Sequence, residues 1–218
     1  MNRLTTFTLV AICLLSAAMC GGTQAPRARA SERILGPCEG CEWVFIGMPE
    51  TIPSTSRIAP KGEPGEPMRI VGTVVSADGK PAPGVIVYAY HTDDKGIYPR
   101  DESMHGSGVR HGKLRGWAKT DEKGQYRFDT IRPAGYPDTD IPQHVHMHVI
   151  EVGCCTYYID DIHFEDDPRL TEEQRKYVNR KRGGNGLVMP RNENGTWVVT
   201  RDITLGMNVD DYPRGADR

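Results

Sequence analysis

The sequence predicts an all-β domain, a β-sandwich with one short helix near the C-terminus. Three observations carry this expectation. Gly and Pro are abundant, 24 and 16 in 218 residues, which favours strands joined by turns over a helical bundle. Short β-branched and aromatic runs recur between turn signals from about residue 67 onward. Only "TEEQRKYVNRK" carries a clear helix start, with Thr171 and Gln174 placed as a capping box.

The elements follow in order. Strands are expected at Ile70–Val71, Thr73–Val75 and Val85–Tyr88, interrupted by the turn-forming "ADGKPAPG". "HTDDKGIYPRDESMHGSGVRHGKLRG" is polar and glycine-rich, and a loop of that length inside a domain is usually functional. "GWAKTDEKGQYRFDTI" reads as a hairpin, two alternating runs around Asp121–Gly124. A proline-rich corner, "RPAGYPDTDIP", leads to a histidine-bearing strand and then to "TYYIDDIHF". After the helix, "NENGTWVVTRDITL" supplies a turn and a last strand, and no internal repeat is visible.

Residues 1–20 read as a targeting segment: Arg3, an apolar run from about Phe7 to Met19, then small residues. That run is short for a bilayer span and suits the core of a signal peptide. Export is therefore expected, to a periplasmic or cell-surface location. Cys20, followed by two glycines, is the candidate for lipidation and membrane anchoring, with cleavage after Ala30 and simple secretion as the alternative. Residues 21–66 read as a tether and turn-rich lead-in carrying a C-x-x-C, and residues 67–218 as the β-sandwich domain. The net charge of −2 and the lack of a basic stripe argue against nucleic acid; "NRKRGG" reads as a solvated helix end.

In an exported chain the cysteines are read as disulfide candidates: Cys38, Cys41, Cys154 and Cys155. The adjacent pair does not supply the second C-x-x-C of a four-thiolate zinc site. One expected arrangement ties the N-terminal segment to the strand end at Cys154, and the connectivity stays open.

Chemistry concentrates in "DIPQHVHMHVIEVGCC". His144, His146 and His148 alternate with Val145, Met147 and Val149, so on a strand the imidazoles share one face and the apolar residues the other. Imidazoles set out this way suggest a metal; the competing reading is a half-exposed strand with its polar residues in water. Histidine alone points to zinc or copper. Tyr98 and Tyr136 change that, because a phenolate is a hard anionic donor suited to a trivalent cation.

At these residues the sequence resembles the intradiol ring-cleavage dioxygenases, the family of catechol and protocatechuate dioxygenases. The shared pattern runs from "GVIVYAYHTDDKGIYP" through "LRGWAKTDEKGQYRFDTIRPAGYP" to "PQHVHMHV" and fades through "IHFEDDP", covering residues 68–168. G-x-Y, T-D-x-x-G-x-Y-x-F-x-T-I-x-P and H-x-H in that order are far more specific together than any one alone. The resemblance implies an Fe(3+) cofactor held by Tyr98, Tyr136, His144 and His146. It also implies a catechol-type substrate cleaved with O2 between its two hydroxyls, with Tyr136 as a local base for the incoming diol. His148 lies one step beyond the family motif, and Tyr90, Tyr126, Tyr157 and Tyr158 fit strand packing.

Two departures stand out. Where the soluble enzymes carry an arginine three residues before the first histidine, this chain has Ile141, and the family's glutamine on the next strand falls near Asp161. Arg132, Arg110 and Arg115 are the candidates for the missing positive charge. The alternatives to an enzyme are an iron- or catechol-binding β-sandwich without turnover, and a prealbumin-like surface module, which "GTVVSADGKPAPGVIVYAY" taken alone also resembles.

Overall fold

A computed structural model of the chain describes residues 33–38 and 40–213. The signal-like residues 1–20, with Cys20, lie outside the described residues. The strands are β1 (Arg33–Ile34), β2 (Thr55–Arg57), β3 (Pro67–Val75), β4 (Ile86–Tyr90), β5 (Arg115–Lys119), β6 (Gln125–Ile131), β7 (His144–Glu151), β8 (Cys155–Phe164), β9 (Leu187–Val188), β10 (Arg191–Glu193), β11 (Thr196–Thr200) and β12 (Ile203–Thr204). The α-helix, α1, is Glu172–Val178, and two short 3₁₀ helices span Cys41–Phe45 and Gly106–His111.

The strands form two sheets, as the all-β reading expects. One runs β1–β8–β7–β4–β5 with β9 also on β8; the other runs β10–β11–β3–β6–β2 with β12 on β3. Apolar residues at alternate positions meet between them: Met68 and Ile70 of β3, Val87 and Ala89 of β4, Phe128 of β6, Val145, Met147 and Val149 of β7. Removing this area from water is the main force holding the layers together.

The outer face of the first sheet is covered too. Ile86, Tyr88, Tyr90, Trp117 and Ile150 pack there against Val44, with Phe45, Met48, Ile52 and Tyr98 at the edge. Trp117 Nε1 donates to the Val44 carbonyl at 2.7 Å, pinning the Cys41–Phe45 turn to β5. The histidine face of β7 therefore looks into a lined recess instead of water.

The helix begins as its sequence predicts. Thr171 Oγ1 accepts from the Gln174 backbone N–H at 3.2 Å, and the Gln174 side chain accepts from the Thr171 N–H at 2.8 Å.

Three expectations are corrected. β5 and β6 flank the turn expected at Asp121–Gly124, but they do not pair: β5 joins β4 in one sheet and β6 joins β3 in the other. Asp121 Oδ1 caps the turn by accepting from Lys123 and Gln125, and a capped turn serves an arch between layers as well as a hairpin. The lead-in is no loose tether either. Within residues 33–66, β1 pairs with β8 and β2 with β6, so the two sheets take strands from before residue 67. Finally, Cys38 is bonded to Cys41, while Cys154 and Cys155 remain adjacent thiols. The N-terminal segment does reach that strand end, through Arg33 opposite Cys155, and backbone pairing makes the contact that a disulfide was expected to make.

Candidate metal centre

Tyr98, Tyr136, His144 and His146 converge. Their four donor atoms close a ring: Tyr98 Oη to Tyr136 Oη 2.6 Å, Tyr136 Oη to His144 Nε2 3.2 Å, His144 Nε2 to His146 Nε2 3.2 Å, and His146 Nε2 to Tyr98 Oη 2.9 Å. Each is placed by a different local device.

The segment carrying Tyr98 is locked to the one carrying Tyr136. Asp93 Oδ1 accepts from the Lys95 and Ile97 N–H groups, the Asp93 carbonyl accepts from Ala134, and Thr92 Oγ1 donates to the Ala134 carbonyl. The backbones touch at Gly96 and Gly135; Gly96 has φ +80°, and a Cβ there would collide with the Gly135 carbonyl. Arg169 then donates to the Tyr136 carbonyl at 3.1 Å.

The histidines come from β7, where a bulge matters. Val145 pairs with Ile162 and Met147 with Ile159, so Asp160 and Asp161 of β8 both lie opposite His146. The extra residue turns Asp161 onto His146, with Nδ1 3.0 Å from Oδ2. His144 Nδ1 is 2.7 Å from the Pro142 carbonyl. A carbonyl can only accept, and an ionised carboxylate likewise, so both imidazoles carry their proton on Nδ1 and present an Nε2 lone pair to the ring.

The ring then has two phenol protons for four edges, and two imidazole lone pairs face each other at 3.2 Å. A cation resolves this. Ligands about 2.0–2.1 Å from a first-row metal and at right angles lie about 2.9 Å apart, in the middle of the observed edges. Two phenolates and two imidazoles suit a hard trivalent ion, so the residues present fit Fe(3+).

The surroundings are tuned for neutral groups in the metal-free state. Burial pushes the Tyr98 phenol well above its usual range, and the adjacent Tyr136 adds to this; burial also raises Tyr136. Burial, then His146, hold His144 down at about 4. Burial works against the charge on Asp161, yet the neighbouring His146 keeps its carboxyl below the ordinary range. A bound cation reverses the penalty on the phenols, since it is the largest local charge.

The remaining sequence candidates are sorted by position. Arg132 points away from the ring: it donates to both oxygens of Asp166 and to Gln143, and lies over Phe164 and Trp197. Arg115 pairs with Asp101. Arg110 lines a cavity of about 260 Å³ with Tyr90, His146, His148, Tyr158 and Asp161, and its charge favours the Tyr136 phenolate. Ile141, 44% exposed, lines a second cavity of about 490 Å³ with His144, Tyr158, His163 and Tyr177. Tyr126 and Tyr157 are core residues as expected, but Tyr90 is part of the site, stacked on His146 at 4.5 Å between ring centroids. His163, which the sequence reading passed over, stacks on His144 at 5.6 Å; its position on the same face as Asp161, two residues along β8, was the available signal. His148 is buried at 3% exposure.

The family profile described as dioxygenase matches residues 46–183, well over half the chain. The chain belongs to the intradiol ring-cleavage dioxygenase family. It is 27% identical over 179 residues to catechol 1,2-dioxygenase 1 of Acinetobacter lwoffii, a match covering 71% of this chain and 55% of that one. Chlorocatechol 1,2-dioxygenase of Rhodococcus opacus is 27% identical over 188 residues, covering 75% and 65%. The chain thus spans less than two thirds of these relatives' length. Among solved structures, the dioxygenase domain of a dioxygenase–carbohydrate-binding protein fusion from Streptomyces sp. SirexAA-E superposes with a TM-score of 0.55 at 21% identity, covering 81% of this chain and 97% of that domain. At that identity the likeness speaks for the fold.

Proposed function

We propose that the chain is an Fe(3+)-dependent intradiol dioxygenase that uses O2 to cleave a catechol-type ring between its two hydroxyls, in aromatic compound catabolism. The observation that carries this reading is the closed ring of two phenol oxygens and two imidazole nitrogens. Tyr98, Tyr136, His144 and His146 would hold the ion, which when bound supplies the Lewis acidity that makes a chelated catecholate reactive towards O2.

The protein's own groups do the rest. The Pro142 carbonyl and Asp161 fix the tautomers of His144 and His146. Tyr136 is the less buried phenol, beside Arg110, and its Oη is placed to take a proton from an incoming diol. The Cys41–Phe45 turn and Tyr90 cover β7 around the buried His148 and leave His146 facing the cavity. Export, with or without a lipid on Cys20, is part of this proposal; the apolar character of residues 7–19 and the Cys38–Cys41 disulfide support it.

The test is a visible spectrum of the ferric-loaded protein, with and without catechol under nitrogen, followed by admission of oxygen. A tyrosinate-to-iron band that moves to longer wavelength with catechol, then oxygen uptake and a ring-opened diacid, is expected. A catechol-induced shift without oxygen uptake would make the chain a binder; a colourless protein would remove the ferric site.

A further inference from the structure

A second cluster of metal-ligating groups lies beside the first and is not used by the proposed reaction. The disulfide-bonded sulfurs of Cys38 and Cys41 and a ring nitrogen of His148 lie within 4.8 Å of one another. Cys41 is fully buried and His148 is 3% exposed. Among the described residues, neither ring nitrogen of His148 has a hydrogen-bond partner. A buried imidazole with both nitrogens unmatched is costly, and core histidines usually find at least one partner. Here the nearby ligand atoms are sulfurs.

We propose that, with the disulfide reduced, Cys38, Cys41 and His148 form a soft-metal site for a d¹⁰ ion such as Zn(II) or Cu(I). The chemistry balances simply. A dithiol donor supplies two electrons and two protons, becoming a disulfide itself, while Cys38–Cys41 becomes two thiols. Metal binding then displaces both thiol protons and takes the His148 lone pair. Thiolates with imidazole select zinc or cuprous ions over the hard ion suited to the tyrosine site. Typical bond lengths of about 2.3 Å to sulfur and 2.0–2.1 Å to nitrogen call for ligand separations below 4 Å, so on reduction the two sulfurs part from their bond to that spacing while the imidazole nitrogen, already within 4.8 Å of both, needs little movement.

Two further features suit the site. Gly40, at φ +87°, lets the C-x-x-C turn lie directly against His111, where a Cβ would sit 2.8 Å from the imidazole. Pro37 and His148 line the same 260 Å³ cavity as Arg110 and His146, which gives an ion a route in. His148 is also two residues from His146 on β7, and Tyr90 stacks between His146 and His111. The two sites therefore share a wall.

Cadmium titration of the full chain, oxidised and after dithiol treatment, tests this, with thiolate-to-cadmium ultraviolet absorption as the readout. The Cys154→Ser/Cys155→Ser background removes the adjacent thiols as competitors. One extra equivalent with thiolate absorption is expected only after reduction. It should be absent in Cys38→Ser/Cys41→Ser and bound at least tenfold more weakly in His148→Gln. Because His148→Gln could unfold, its circular dichroism is compared with the parent, and His148→Asn serves as a second variant. No extra equivalent on reduction, a disulfide that yields only when the protein unfolds, or unchanged affinity in both folded His148 variants would overturn the proposal.

Discussion

Asp161 Oδ2 lies 3.0 Å from His146 Nδ1, and it gets there because β8 carries one residue more than β7 at that point. The carboxylate fixes the ring and aims its Nε2 lone pair at Tyr98 Oη. Outer partners of this kind typically contribute about 10–100-fold to metal affinity. Asp161→Asn is therefore expected to lose ferric ion about 10–100-fold more readily to a chelator, with the fold intact by circular dichroism. Equal retention would mean that His146 is oriented by Tyr90 stacking alone.

Tyr98 and Tyr136 are both phenols at the ring, but they are not equivalent. Each touches two of the other members, but Tyr98 is the more deeply buried and Tyr136 the more open. Tyr98→Phe is expected to weaken iron binding and shift the visible band. Tyr136→Phe should keep more iron yet lower kcat by about 10²-fold or more, if its Oη takes the diol proton. Iron content alongside kcat separates the two outcomes; a Tyr136→Phe variant with unchanged kcat would assign the proton to another group.

Much of this was legible beforehand because strand alternation is a strict period of two. His144 and His146 on one face and Val145, Met147 and Val149 in the core follow directly from it. The capping box at Thr171 is equally local. What stayed hidden is what depends on distant pairing. A bulge on β8 leaves no local signature, so the contact of Asp161 with His146 could not be derived from spacing. The turn at Asp121–Gly124 looks the same whether its flanking strands pair or separate into two layers. The lead-in was polar enough to pass for a tether, and what ties it down, the buried Leu35, Cys41, Val44, Ile58 and Ala59 and the pairing of β1 and β2, is scattered along it. Arg132, Arg110 and Arg115 were candidates by proximity in sequence, which says nothing about where a side chain points.

The two arginines make a clean pair of substitutions. Arg110 lies at the cavity and favours charge on Tyr136, whereas Arg132 is held by Asp166 and Gln143. Arg110→Ala is expected to lower kcat/KM about 10²-fold, the scale for losing a group that stabilises developing charge. Arg132→Ala should leave kcat/KM within twofold and cost about 1–3 kcal/mol of stability, the usual penalty for stranding a part-buried charged partner. Matched steady-state kinetics and thermal melts check both; the reverse pattern would return the charge-stabilising role to Arg132.

Acid should loosen the metal-free protein through buried neutral histidines, and His91 is the one best removed from the metal ligands. Its Nδ1 is 2.6 Å from the Thr92 carbonyl and its Nε2 2.6 Å from Thr130 Oγ1, which places the proton on Nδ1 and lets the threonine hydroxyl donate to Nε2. Burial lowers its pKa from the ordinary 6.5 to about 4. The folded state thus binds this proton less readily than the unfolded chain. Stability is complete above the unfolded value and falls as pH drops from 6.5 towards 4, by roughly 3 kcal/mol for a shift of this size. His91→Gln, which can also donate and accept, is expected to be less stable at pH 7.5 but to show a shallower fall with acid. Urea midpoints for both proteins across pH 7.5 to 4 measure the difference, and parallel curves would show that His91 does not carry the acid sensitivity.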